Sequence, residues 1–284
     1  MLFTLTLRHL KIHFRDKVSV FFSLLSVFII IGLYVLFLGD LVSNGQSGEY
    51  RTMMDQWIMS GVIAVSGFTT TLGAYGILVD DKSKKLDRDF IVAPIKPAIR
   101  ILSYLLSAMT IGAIMSVVTL VFAQIYILIY GGPFLDIVTI LKLLGLIIIN
   151  VLTSSSIIFF IINFIKTATA FSTVSTIVGT VIGFLMGIYV PLGNLPRAIQ
   201  VATMFFPTSH AGVLFRMVMM DASMTEVFAG APAGELTSLQ EFLGVRYFFN
   251  GQVMPVYAHF LVLIGTMVVF FVLSLIVLKY KKTK

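Results

Sequence analysis

Four histidines are the side chains of this chain best suited to acid–base or metal chemistry. His9 and His13 stand four residues apart, so a helix would bring both imidazoles to one face, where a metal ion could bind. No carboxylate partner is identified that completes such a site. His210 and His259 are isolated along the sequence. The pattern therefore favours structural roles for the histidines over catalysis.

Nucleotide-binding and hydrolytic motifs are missing from the sequence. It contains no phosphate-binding P-loop, no His-Glu-x-x-His and no Gly-x-Ser-x-Gly. The absence of cysteine excludes disulfides and metals bound by thiolates. No pair of nucleophile and base stands out, so we expect neither an enzyme nor a cofactor or metal held by this chain.

Six apolar stretches must position any functional side chain. About 20 apolar residues in a helix cross the hydrocarbon core of a bilayer. The 284-residue chain is 58% hydrophobic and only 12% charged, and none of the six stretches has the polar face that a soluble helical protein would need. We predict a single-domain all-α membrane protein with six transmembrane helices: Val18–Leu38, Trp57–Val79, Ile101–Ile129, Ile137–Ile165, Ala170–Val190 and Tyr257–Leu278.

The distribution of charge predicts the orientation. With both termini in the cytoplasm, 15 of the 20 Lys and Arg residues fall on the inner side, because basic loops resist translocation. The orientation in the membrane then accounts for the net charge of +7, so this charge does not indicate binding of nucleic acid, and we expect no nucleic-acid partner. The first apolar run is too long for a cleavable signal peptide. The predicted location is the cytoplasmic membrane.

Residues 1–17 predict an amphipathic helix that lies in the membrane interface. One stripe at helical spacing is apolar and consists of Phe3, Leu7, Leu10 and Phe14. A second stripe beside it is basic and consists of Arg8, Lys11 and Arg15. The apolar stripe could be buried among lipids while the basic side chains reach anionic headgroups. An ordinary positively charged flank is the alternative.

Residues 80–100 form a charged cytoplasmic segment between spans two and three. Both signs of charge interleave in its first part, as in a short solvated helix. Pro94 and Pro97 end that helix, and the apolar residues Phe90–Val92 suit contact with a protein partner. A plain solvated loop is the alternative.

Small and hydroxyl residues interrupt the apolar spans. Such residues let membrane helices approach closely and form hydrogen bonds across the contact, so packing is the favoured interpretation. A polar substrate path is the alternative, with candidate residues Ser66, Thr69, Thr70, Ser172 and Ser175. Lys142 is the only formally charged residue in the six predicted spans. Because ion-driven carriers usually need an ionisable group there, energy for transport would come from outside the chain.

Residues 191–256 form the predicted external segment. Its apolar runs Ala198–Phe206 and Leu214–Met220 are too short to cross a bilayer, which predicts re-entrant or interfacial helices. A further helix is expected around Leu236–Phe242.

Four features in this order resemble the membrane subunit of an ATP-binding-cassette (ABC) transporter of the type-2 permease family. They are Phe14-Arg15-Asp16 before span one, the charged segment that ends in Asp89–Ile95, the Pro191-x-x-x-Leu195-Pro196 turn, and Phe206–His210 ahead of Arg216. The resemblance implies a six-helix half-transporter that pairs with a second permease, either a copy or a paralogue. It also implies two separate ABC ATPase subunits, which would hold the ATP and Mg²⁺.

Several segments take family roles by this resemblance. Leu5–Lys17 would be the connecting helix, and Leu195–Phe206 with Thr208–Met220 would be the re-entrant external helices. Lys82–Pro94 would be the coupling helix, with ATPase contacts through Lys82, Lys84, Lys85, Leu86, Arg88, Asp89, Phe90 and Pro94. The chain departs from the common pattern at Asp81, where glutamate is frequent, and at Lys84-Lys85, where Gly-Thr is frequent.

The sequence thus predicts the permease subunit of an ATP-driven exporter of a hydrophobic or amphipathic substrate: a drug, lipid, glycolipid or peptide. Spans two and five would line the path between two permease halves. An ion-gradient-driven secondary transporter and a non-transporting membrane sensor or scaffold are the alternatives. Homodimer and heterodimer both stay open.

Overall fold

A computed structural model describes residues 1–38, 48–85, 95–249 and 251–282, and these residues are almost entirely helical. The α-helices are α1 Leu2–Arg15, α2 Lys17–Leu33, α3 Glu49–Ala74, α4 Gly76–Ser83, α5 Pro97–Ile129, α6 Ile137–Ile162, α7 Ala168–Leu185, α8 Arg197–Phe205, α9 Ser209–Met219, α10 Asp221–Val227, α11 Ala233–Phe242 and α12 Val256–Lys282. A π-helical turn, Tyr34–Leu38, follows α2, and a 3-10 turn, Leu192–Asn194, precedes α8. Strands β1 Phe248–Phe249 and β2 Gln252–Val253 form a short antiparallel ribbon.

Five helical segments in the described ranges are long and apolar enough to cross a membrane. They are α3 continued by α4, then α5, α6, α7 and α12. The prediction of an all-α membrane protein is confirmed. A sixth crossing at Val18–Leu38 stays a prediction, because the apolar helical stretch found there, Ser23–Leu36, is shorter than the other five.

Helix α3 is the centre of the bundle. Nearly every side chain from Met53 to Leu72 is buried, and α2, α5, α6, α7 and α9 all pack against this helix. In contrast, α7 and α12 lie at the periphery and leave most of their apolar side chains partly or fully exposed. Exposed apolar helices of this length suit contact with lipid or with another membrane protein.

The small and polar residues of the spans hold the central helices together. Asn150 Nδ2 donates to the Ala64 carbonyl at 2.9 Å, and a Cβ on Gly67 would lie only 2.5 Å from that same nitrogen. Tyr75 Oη and Ser155 Oγ are 2.7 Å apart. These contacts join α3 to α6 and agree with the packing interpretation, because a glycine allows close approach and an amide bridges the contact.

Helix α3 begins at Glu49, well before the predicted start at Trp57. Two polar residues of this extension find partners inside the protein: Ser223 Oγ donates to Gln56 Oε1 at 2.5 Å, and Tyr126 Oη donates to Asp55 Oδ1 at 3.4 Å. Asp55 is only 2% exposed. The predicted span Trp57–Val79 contains no carboxylate, but the helix that forms there does, because α3 includes Asp55.

Helix α7 ends at Leu185, whereas span five was predicted to reach Val190. The chain turns at Gly187, whose φ of 62° favours glycine. Hydropathy alone could not reveal this end, because the residues up to Val190 are also apolar. Short helices α8 and α9 occupy the places predicted for external helices, and α11 covers Leu236–Phe242. Their entry into the membrane stays a prediction.

Candidate functional site

Four side chains from three helices meet at the end of the bundle that carries α1. Arg8 and His9 come from α1, Asp81 from α4 and Tyr104 from α5; we call this group the α1 clamp. Tyr104 Oη donates to Asp81 Oδ2 at 2.6 Å, and Arg8 Nη1 donates to the same oxygen at 3.2 Å. The His9 ring stacks on Tyr104 with centroids 4.1 Å apart. One buried carboxylate thus ties three helices together.

Local structure explains how these side chains come to face one another. On α1 the buried residues Leu5, Thr6, His9 and His13 form a single helical face, which packs on α5. Asp81 lies in the last turn of α4, and Tyr104 lies two turns into α5. The end of α4 and the start of α5 lie on either side of the charged segment. The clamp therefore holds the helices before and after that segment in place.

The clamp contains a neutral imidazole beside a charged pair. Burial lowers the pKa of His9 below its ordinary value of 6.5, and the neighbouring Asp81 carboxylate opposes this only in part. Burial also lowers the pKa of His13. Both rings are therefore neutral at neutral pH, which fits their position against the protein and leaves Arg8 as the cationic partner of Asp81.

The predicted connecting-helix residues lie partly on the outer surface of α1. Phe3 and Phe14 are exposed, Leu7 and Leu10 are half-buried, and Arg15 is exposed. The sequence pattern identified this apolar stripe but missed the packed face, which is mostly polar. The reason is that α5 covers that face and stacks Tyr104 on the His9 ring, while the Thr6 hydroxyl donates to the Leu2 carbonyl of α1 itself. Contact of the outer stripe with lipid stays a prediction.

The predicted ATPase contacts continue from the end of α4. Lys82 is half-buried, whereas Lys84 and Lys85 are exposed. Lys84 Nζ lies 3.7 Å from Asp80 Oδ2, and both side chains are solvated. The other predicted contacts lie outside the described residues: Leu86, Arg88, Asp89, Phe90 and Pro94.

The predicted substrate-path residues divide between the interior and the surface. Ser66 and Thr70 are fully buried in α3, and Thr70 Oγ1 donates to the Ser66 carbonyl at 2.6 Å. Thr69 and Ser175 are half-buried, and Ser172 is exposed on α7.

A stripe of exposed hydroxyl residues runs along α7. Thr173, Thr176 and Thr180 are exposed, and each donates to a backbone carbonyl of its own helix at 2.9 to 3.1 Å. Together with Ser172 they lie on one helical face. Of the residues on this helix, the sequence pattern predicted only Ser172 and Ser175 as substrate-path candidates. The stripe could have been predicted, because its members are spaced three and four residues apart.

A buried arginine organises the opposite end of the bundle, which carries residues 186–255 and is called the loop end here. Arg216 donates to the carbonyls of Met186 and Gly187 at 2.8 Å each and to that of Gly244 at 3.2 Å. Its guanidinium lies 5.4 Å from the centre of the Trp57 ring. Burial lowers the pKa of Arg216 to about 10, so it stays charged at neutral pH. Arg216 thus ends α7 and anchors it to α3 and α9.

His210 and His259 form a buried pair at the loop end. Their Nδ1 atoms are 2.8 Å apart, and His210 Nε2 donates to the Met204 carbonyl at 2.9 Å. Burial lowers the pKa of His210, so this ring is neutral and accepts a hydrogen bond from His259. Within the described ranges no three metal-binding side chains come together. The pair therefore joins α9 to α12 as a structural contact.

Most of the chain matches a known protein family. A family model described as "ABC-2 family transporter protein" matches residues 40–276. The match includes Asp81 and Tyr104 of the clamp, whereas α1 and α2 lie before it. No curated protein matches the chain at a level that shows a relationship.

Proposed function

The chain belongs to the ABC-2 transporter family, and from this membership we propose that it is the permease subunit of an ATP-driven exporter. Separate ABC ATPase subunits would bind ATP and Mg²⁺ on the cytoplasmic side, where both termini of the chain would lie. A second permease, a copy or a paralogue, would complete the transporter in the cytoplasmic membrane. The substrate would be hydrophobic or amphipathic: a drug, lipid, glycolipid or peptide.

The α1 clamp supports the part of this proposal that concerns how an ATPase would move the permease. An ATPase docked on residues 82–94 would push on the end of α4 and the start of α5. Because Arg8 and Tyr104 share one oxygen of Asp81, such a push would move α1, α4 and α5 as one unit. A buried hydrogen bond to a charged group is strong enough to keep these helices together during the movement.

The movement would reach the centre of the bundle through α4. This helix continues α3 after a break at Tyr75, whose hydroxyl is held by Ser155 of α6. Helix α4 also packs on α7, where a Cβ on Gly76 would lie 3.3 Å from the Phe171 ring. A shift of α4 would therefore act on both α3 and α7.

We assign the substrate path to the surface of α7 that faces the second permease. Ser172 is exposed there, and Ser175 and Thr69 are half-buried. Ser66 and Thr70 would line the path only when α3 moves, because both are fully buried here. The hydroxyl groups of Thr173, Thr176 and Thr180 on α7 bond to their own backbone, whereas Ser175 Oγ has no partner among the described residues, and a surface of this mixed polarity suits an amphipathic substrate.

The decisive experiment measures recovery of the ATPase subunits with the purified chain. Deletion of Lys84–Phe90 should abolish their co-purification, because this segment provides the docking element. A matched control is the deletion of the equally long loop-end segment Ala229–Glu235, which should leave recovery unchanged. Unchanged recovery after the first deletion would contradict the proposal. Transport by the chain alone on an ion gradient in liposomes would instead support a secondary transporter.

A further inference from the structure

A cleft of about 780 Å³ lies at the loop end, between α6, the helices α9 to α11 and the start of α12. Much of its wall is apolar and includes Leu146, Ile149, Leu214, Met217, Val245 and Phe260. Its volume is in the range of sites that bind small ligands. The cleft is separate from the α1 clamp and from the exposed hydroxyl stripe of α7.

Two basic side chains lie at the rim of this cleft. Lys142 and Arg246 both line it and are both exposed. Neither side chain has an ion pair or hydrogen bond with another described residue. Asp221 is the acidic side chain that lines the same cleft, so these three residues together carry one net positive charge. This charge balance complements one monoanionic group better than a dianionic one.

The position of the cleft relates it to the membrane surface. Lys142 lies six residues after the N-cap Asp136, which is about 9 Å along α6 at 1.5 Å per residue. Leu141 and Ile148, on the same part of α6, are exposed apolar residues. In a membrane-spanning helix, a lysine about 9 Å from the helix end can extend its long side chain back to the level of the lipid headgroups.

These observations point to a lipid as the occupant. We propose that the cleft binds one glycerophospholipid of the surrounding membrane. Lys142 and Arg246 hold the phosphodiester, and an acyl chain lies along Leu146, Ile149 and Phe260. Basic side chains bind phosphate oxygens through charge-assisted hydrogen bonds, and the apolar wall provides the burial that a free phosphate ion could not use. Asp221 disfavours a phosphomonoester, because that group carries more negative charge than a diester.

Lipid retention on the purified full-length chain tests this site without any measurement of transport. The chain is placed in nanodiscs of phosphatidylcholine with a minor share of phosphatidylglycerol, and retained lipids are counted by native mass spectrometry. The double variant Lys142→Gln/Arg246→Gln should lower retention of phosphatidylglycerol about tenfold, which corresponds to about 1.4 kcal/mol. Ile149→Trp, which leaves both charges but fills the wall, should also lower retention.

Arg197→Gln is the matched control. Arg197 is an exposed basic residue of the same end, and its guanidinium donates to Gln200 Oε1 at 3.0 Å, away from the cleft. This variant should retain lipid as the wild type does. Equal retention by the double variant, or equal loss in Arg197→Gln, would overturn the proposal. So would displacement of the lipid by millimolar inorganic phosphate, or tighter binding of phosphatidic acid.

Discussion

Replacement of Asp81 by alanine tests the α1 clamp most directly. Asp81 accepts from Tyr104 at 2.6 Å and from Arg8 at 3.2 Å. A hydrogen bond to a charged group stabilises a protein by about 1.5–3 kcal/mol. The Arg8 side chain is 37% exposed, so its ion pair adds at most about 1 kcal/mol. We expect Asp81→Ala to lower the free energy of unfolding by about 2–3 kcal/mol, since Tyr104 Oη also loses its buried acceptor.

Related substitutions separate the two contacts of Asp81. Asp81→Asn keeps an oxygen for Tyr104 and loses the charge, so it should cost about 1 kcal/mol. Asp80→Ala is the matched control. Asp80 is exposed and pairs with exposed Lys84 at 3.7 Å, so its loss should change stability by less than about 0.5 kcal/mol.

Thermal unfolding of the purified protein provides the assay, and a double-mutant cycle with Tyr104→Phe gives the decisive number. If the two side chains interact as described, the losses of unfolding free energy in the two single variants should add up to about 1–2 kcal/mol more than the loss in the double variant. Additive costs would refute the direct interaction. In the assembled transporter, Asp81→Ala should keep the ATPase subunits bound but lower substrate-stimulated ATP hydrolysis. The reason is that α4 and α5 would no longer move together with α1.

Three further predictions concern the two ends and the centre of the bundle. Arg216→Leu should lower the free energy of unfolding by about 3 kcal/mol or more, because three buried carbonyls lose a charged donor, and Arg216→Lys should not restore the melting temperature. The pKa of His9 is lowered by burial, so the folded state binds fewer protons than the unfolded state, and stability should fall as the pH drops below about 6.5. Melting curves between pH 7 and 5 should show a smaller loss for His9→Phe; an unchanged slope would refute this role. Gly67→Ala should cost about 1–3 kcal/mol by pushing Asn150 away, whereas Gly73→Ala, with open space around it, should cost much less in the same melting assay.

Particular segments show how far the sequence determines this protein. Ile137 begins α6 as predicted, and Pro97 begins α5 a turn before the apolar run, because proline fits the first turn of a helix. The membrane class follows from the apolar runs alone, since a chain in lipid must satisfy its backbone groups internally and does so as helices. The order of motifs also predicted the transporter family, which the family match confirms.

Helix ends were harder to predict where polar residues are buried. Span two was predicted to begin at Trp57, yet α3 begins earlier and includes Asp55 and Gln56, because Tyr126 and Ser223 provide their partners. The converse holds for α7, which ends within an apolar run, where Arg216 binds the carbonyls of Met186 and Gly187 directly after the last helical residue. Hydropathy measures preference for water or lipid and is insensitive to partners that are distant in sequence.

The sequence by itself determined that the chain is a bundle of membrane helices and which family it belongs to, because hydropathy and motif order are local properties. Only the tertiary structure decided which polar side chains meet. Asp81 stands 73 residues from Arg8 and 23 from Tyr104, and no periodicity connects the three positions. Packing of three helices brings them together, since a buried carboxylate is stable only where the fold supplies its donors.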